Sequence, residues 1–208
     1  MADDDWYRNS EWNEEIAATF EAKLRRARRK EQYIRIQASY LAKKYPEVAL
    51  RLLDRFLAMP DQWEQAAAHF ARAEAFCSLN RLDDAARAYE DALNRESEFP
   101  RLETTAWIEL PFMIAVEKME SRYAQALALL DQHKSRIMFA VDGFKWHAAK
   151  ALILNAKRDR AEAAREASQA REFASRDSSG FRYHPRAGLV EPTYDQLKTM
   201  LETLSNAT

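Results

Sequence analysis

Glycine is the scarcest structural resource in this chain: three residues in 208, Gly143, Gly180 and Gly188, where about 7% is usual. Few tight turns of positive φ can then be supplied by glycine, which argues against a strand-rich fold. Cys77 is the single cysteine, so an intramolecular disulfide is excluded and a reducing compartment is the natural setting. Long apolar runs are missing too. The stretch 137–141 is far short of the roughly 20 residues needed to cross a bilayer. The amino terminus carries Asp3, Asp4 and Asp5 in place of a basic and then apolar leader, so no signal peptide is expected. Thirty-two basic and 33 acidic side chains nearly cancel, leaving no general pull toward nucleic acid or an anionic membrane. A cytoplasmic protein with no membrane partner is the expectation.

What the chain does have is alanine at long, regular intervals. Ala49, Ala85, Ala126 and Ala163 are 36, 41 and 37 residues apart, each in a segment of helical apolar period. The second unit is clearest, with Ala73, Phe76, Ala85, Tyr89 and Ala92. The fourth repeats its spacing as Ala151, Leu154, Ala163, Ala167 and Ala170. The first reads Gln37, Tyr40, Ala49, Leu53 and Phe56. The third keeps Ala126 and Leu130 but offers Ile114 and Glu117 before them, with Pro111 interrupting its first helix. A helical hairpin of this size cannot bury its own apolar stripe, so hairpins stack, and alanines at the closest crossings let backbones approach.

This pattern, over residues 31–175, resembles the tetratricopeptide repeat (TPR), a two-helix unit of about 34 residues. The resemblance implies an all-α, TPR-like superhelical solenoid of antiparallel helix pairs, with capping helices at both ends. One domain over 1–208 is expected, with hairpins near 31–59, 61–99, 102–140 and 144–175, a loop at 176–192 and a closing helix at 193–205.

Terminal signals agree with that division. A first helix over 11–29, capped by Ser10, puts Ile16, Phe20, Leu24 and Ala27 on one face. Pro46 suits a first helical turn. Asp61 with Glu64 reads as a capping box, Asp83 and Asp159 stand ahead of second helices, and Thr193 with Gln196 opens the last helix, whose stripe is Tyr194, Leu197, Leu201 and Leu204. An interior Pro111 should bend its helix.

Catalytic constellations are thin. No pair among His69, His133, His147 and His184 has the i, i+4 spacing of a helical zinc site, no phosphate loop appears, and Cys77 has no histidine near it in sequence. A non-catalytic protein with no cofactor or metal is expected. His69 and His147, each four residues before the small residue of a first helix, read as packed hairpin residues. Core packing is the default for Trp6, Trp12, Trp63, Trp107 and Trp146, although Trp6, Tyr7 and Trp12 could form an exposed anchor.

The TPR resemblance implies a protein or peptide partner on a concave face lined by first helices. Its off-core positions are Arg35, Phe70, Glu74, Cys77, Phe112, Lys118, Lys145 and Asn155. The lysine and asparagine set with which some TPR domains clamp a terminal carboxylate is not reproduced. A secondary candidate is the irregular loop, where Arg182, Tyr183 and His184 could meet a partner; alternatively Phe181, Tyr183, Leu189 and Val190 plug the last hairpin and His184 bonds backbone. Two other readings remain: a bacterial immunity or toxin-associated protein that binds a folded partner, and nucleic-acid binding through residues 23–30. Against the latter, the helix carrying that basic run has acids first and bases last, as its dipole favours, and Glu21 is placed to pair with Arg25.

Overall fold

The computed structural model describes residues 5–60 and 63–206. Among them are ten α-helices and three 3₁₀ turns, with no strand. The helices are α1 Glu14–Arg26, α2 Lys30–Leu41, α3 Pro46–Leu57, α4 Gln65–Ser78, α5 Leu82–Glu98, α6 Ala106–Val116, α7 Tyr123–Gln132, α8 Ala140–Ala156, α9 Arg160–Ala174 and α10 Asp195–Ser205. The chain divides into two compact units, Met1–Ala106 and Trp107–Thr208. None of the helices is long and apolar enough to cross a membrane.

In the first unit α2 packs on α3, α3 on α4 and α4 on α5, while α2 also touches α4. The core is built on Phe20, Leu24, Ile34, Leu41, Leu53 and Phe56, with alanines between them. Helix α1 starts later than the apolar stripe suggested: Asn13, not Ser10, caps it, its side chain accepting from the Ile16 N–H at 2.9 Å. The amino-terminal aromatics are core. Trp6 packs against Phe20 and Tyr33, at ring separations of 5.4 and 5.0 Å, and Trp12 against Phe20. Gln37, which stands where a small residue was expected, is fully buried and takes its amide partners from Asn9, whose backbone N–H, side chain and carbonyl it binds at 3.1, 2.9 and 2.8 Å. Tyr40 is half exposed, and Trp63 departs from its expected core role at 67% exposure.

One turn recurs three times. Asn80, Lys118 and Arg158, 38 and 40 residues apart, are left-handed, with φ of 55°, 54° and 66°. Each follows the first helix of a pair by two residues. The next N–H in each case bonds back to a carbonyl five residues earlier: Arg81 to Phe76 at 2.9 Å, Met119 to Ile114 at 3.0 Å and Asp159 to Leu154 at 3.0 Å. These are Schellman closures, which satisfy helix-end carbonyls at the expense of a conformation glycine usually takes.

That shared turn corrects the register of the third hairpin. Ile114 is the counterpart of Phe76 and Leu154, and Pro111 of Ala73 and Ala151; Ile114 and Glu117 had been matched three residues out. The cause is an inserted 3₁₀ turn, Glu120–Arg122, between the closure and α7, which also explains the 41-residue interval. Helix α6 continues through Pro111 to Val116. The small positions are packed as the spacing implied, with Ala73, Ala85, Ala126, Ala151, Ala163 and Ala167 at or near zero exposure.

In the second unit α8 lies on α9 and α9 on α10. Gly143 sets the α8–α9 approach, since a Cβ there would stand 2.3 Å from the Phe173 ring. Asp159 caps α9, accepting from the Glu162 N–H at 3.4 Å. Asp83, by contrast, lies inside the first turn of α5, and Asp84 is the residue that binds Arg81 and Arg87. The expected Asp61–Glu64 box involves Asp61, which lies outside the described residues. Thr193 does not cap α10; it sits in a 3₁₀ turn, Pro192–Tyr194, that leads into it. Leu197, Leu201 and Leu204 close over Phe144, Ala148, Ala151, Ala167 and Ala170.

Candidate partner-binding surfaces

In the first unit the first-helix positions lie on α2 and α4. The Arg35 Nε–H donates to Glu64 Oε2 at 2.7 Å, and Lys43 lies 3.5 Å from Glu74. Both pairs tie the α2 end to the α4 end. Phe70 is half-buried and meets Tyr89 of α5 edge-on at 5.5 Å. Cys77 is half-buried one residue before the end of α4. On α2 and α4, Arg35, Phe70, Glu74 and Cys77 are thus all half-buried, and they combine an aromatic ring turned toward α5 with two partly exposed ion pairs.

The second-unit positions are placed differently. Lys118 is the left-handed turn residue beyond α6, and Asn155 is exposed at the end of α8. Phe112 and Lys145 come together, but under cover. The Lys145 ammonium, on a side chain 11% exposed, donates to Glu109 Oε1 at 2.5 Å. It stands 5.5 Å from the Phe112 ring centre and 5.7 Å from that of Tyr194. Burial pulls its pKa down, but the Glu109 carboxylate and the Tyr194 hydroxyl more than offset that, and the lysine is held above its ordinary value. Tyr194 itself meets Phe112 edge-on at 6.0 Å and Phe144 at 5.3 Å.

Beside Tyr194 a cleft of about 690 Å³ opens between the loop and the start of α8, lined by Val141, Arg186, Leu189, Val190, Glu191 and Tyr194 among others. The loop is stitched internally. The Ser179 hydroxyl donates to the His184 carbonyl at 2.7 Å, the Ser179 N–H to the Pro185 carbonyl at 2.8 Å, and the Val141 N–H to the Gly188 carbonyl at 2.8 Å. Val190 packs on the last hairpin as a plug would, and Phe181 leans on Phe139 at 5.7 Å. Tyr183 does not plug anything: it is 79% exposed, with the Arg182 guanidinium over its ring at 5.4 Å. Its carbonyl and amide engaged in the stitching, His184 leaves its side chain exposed.

Spacing alone missed a charged cluster between α8 and α9. His147 Nδ1 lies 2.6 Å from Glu166 Oε2, and Lys150 Nζ lies 3.2 Å from the other carboxylate oxygen. Because an ionised carboxylate only accepts, Nδ1 carries the proton. Burial would raise the Glu166 pKa, yet the His147 hydrogen bond and the Lys150 charge outweigh it, holding the carboxyl below its usual range. The signal was present, since Glu166 falls between Ala163 and Ala170 on the buried stripe. His69, the counterpart of His147, has a buried Nδ1 with no hydrogen-bond partner among the described residues, 3.8 Å from Asp91, and burial depresses its pKa.

Arg25, Arg26, Arg28, Arg29 and Lys30 are exposed. Glu21 accepts from Arg55 of α3 at 2.6 Å in place of the expected Arg25. Among the described residues no three His, Cys, Asp or Glu side chains group as a metal site would require. Comparison with family models, curated proteins and solved structures returned no match.

Proposed function

We propose that this chain is a non-catalytic, cytoplasmic scaffold of TPR-like hairpins that stack as a solenoid and hold a protein or peptide against first-helix faces, without a cofactor. The observation that carries this reading is the recurrence of one helix–turn–helix closure at Asn80, Lys118 and Arg158, because repeated hairpins would line a concave face with first helices available for binding. In the first unit that surface would be presented by α2 and α4, with Phe70, Arg35, Glu74 and Cys77. Full-length protein immobilised in native extract, with and without nuclease, tests it by mass spectrometry of what is retained. A protein retained in both conditions, and lost on Phe70→Ala, is expected. Loss of every partner on nuclease treatment would instead assign the function to nucleic acid.

The exposure of Arg25, Arg26, Arg28 and Arg29 keeps a nucleic-acid reading worth one specific test. Changing Arg25, Arg26 and Arg29 to Gln should leave protein recovery intact under the scaffold reading, whereas a salt-steep binding that vanishes in this variant would favour nucleic acid. A folded partner, such as a toxin held by its immunity protein, would be recognised by its retention as a native domain and its failure to be replaced by peptides.

A further inference from the structure

Two of the candidate partner positions in the second unit, Phe112 and Lys145, already have an occupant, and it belongs to the same chain. Tyr194 seats its ring between Phe112 of α6 and Phe144 of α8, with the Lys145 ammonium beside it and Glu109 behind that ammonium. The receptor is built from two helices of the hairpins; the occupant comes from a 3₁₀ turn reached through an irregular loop. We propose that this α6/α8 pocket is a receptor for a tyrosine borne on a partner protein segment, and that Tyr194 fills it in cis as a displaceable stand-in. The proposal rests on the scaffold reading and names its partner chemistry.

The chemistry follows from the lining. Two phenyl rings offer an aromatic ring edge-to-face and tilted contacts beyond simple area burial. Lys145, desolvated and paired with Glu109 at 2.5 Å, presents a cation beside the ring, 5.7 Å from its centre.

Displaceability has its own support. The approach to Tyr194 runs through exposed loop, and its flank is the open cleft beside Val141, Val190 and Glu191, so an incoming segment has a path that does not cross the core. Helix α10, which follows Tyr194, contributes Leu201 as its one fully buried side chain. A short tether gives the cis occupant a high effective concentration, so it lowers apparent affinity for a competitor by the fraction of time the pocket is closed.

The test uses full-length protein and a labelled, acetylated synthetic peptide of residues 189–199 of this chain as the tyrosine probe. Removing the internal competitor in Tyr194→Ala should tighten probe binding at least tenfold over wild type, and adding Phe112→Ala should abolish the gain. A probe with alanine in place of its tyrosine should bind at least tenfold more weakly. Equal binding by wild type and a folded Tyr194→Ala, or a gain untouched by Phe112→Ala, overturns the proposal. Should Tyr194→Ala fail to fold, amide hydrogen exchange of the wild type decides: residues 192–205 must open before α8 and α9, and their exchange only with global unfolding overturns it. Failure here leaves nuclease-resistant, Phe70-dependent capture by α2 and α4 standing, so the two readings fail separately.

Discussion

His147 and Glu166 join the last hairpin by a 2.6 Å hydrogen bond between Nδ1 and Oε2, and Lys150 completes the cluster from one turn further along α8. Replacing the carboxylate leaves the half-buried His147 ring without its partner and Lys150 with only the longer 3.6 Å ion pair to Asp131. Glu166→Ala should therefore cost about 1 to 3 kcal/mol, and Glu166→Gln less, since its amide oxygen still accepts one bond. Thermal melts of both variants at neutral pH check the order.

The same cluster sets an acid limit. Glu166 ionises in the folded protein below its ordinary 4.5, so its contribution is fully present above that value and is lost as pH falls through the folded one. Glu166→Gln should flatten the melting temperature against pH below about 4.5 while lowering its plateau.

His69 works in a different window. Burial depresses its pKa below 6.5, so the unfolded chain binds more protons as pH drops and stability falls once pH passes below that value. His69→Leu removes this proton uptake. Its melting midpoint should change less between pH 7.5 and 5.5 than that of the wild type, and an unchanged slope would assign the acid sensitivity to other groups.

Ala85 is fully buried at the α4–α5 crossing, whereas Ala161 is exposed in the first turn of α9. Ala85→Phe should destabilise by about 1 to 3 kcal/mol or more through overpacking, and Ala161→Phe by only a few tenths. Denaturant unfolding of the pair reads this directly.

These cases show what the sequence made legible. Buried alanines at fixed spacing and amphipathic stripes follow from local period, and Ala73, Ala85, Ala151 and Ala163 took their places accordingly. Glycine scarcity, however, was read as scarcity of positive-φ turns. The chain instead puts Asn80, Lys118 and Arg158 into that conformation, compensating the strain with closure bonds that no local pattern announces. The three-residue insertion at Glu120–Arg122 is equally unmarked, and it shifted the third register. At the candidate site, Phe112 and Lys145 could be named from spacing, but their cover by Tyr194 depends on where the chain returns after an irregular loop, a long-range outcome with no period to reveal it.

The most direct measurement for the scaffold reading is amide hydrogen exchange on the complex formed with the captured protein. Added protection should fall on first helices, on α2 around Arg35 and α4 around Phe70 and Glu74, with increased exchange over 192–205 if Tyr194 is displaced. Protection confined to residues 23–30 or to Arg182, Tyr183 and His184, with α2 and α4 unchanged, would contradict binding by the hairpin faces.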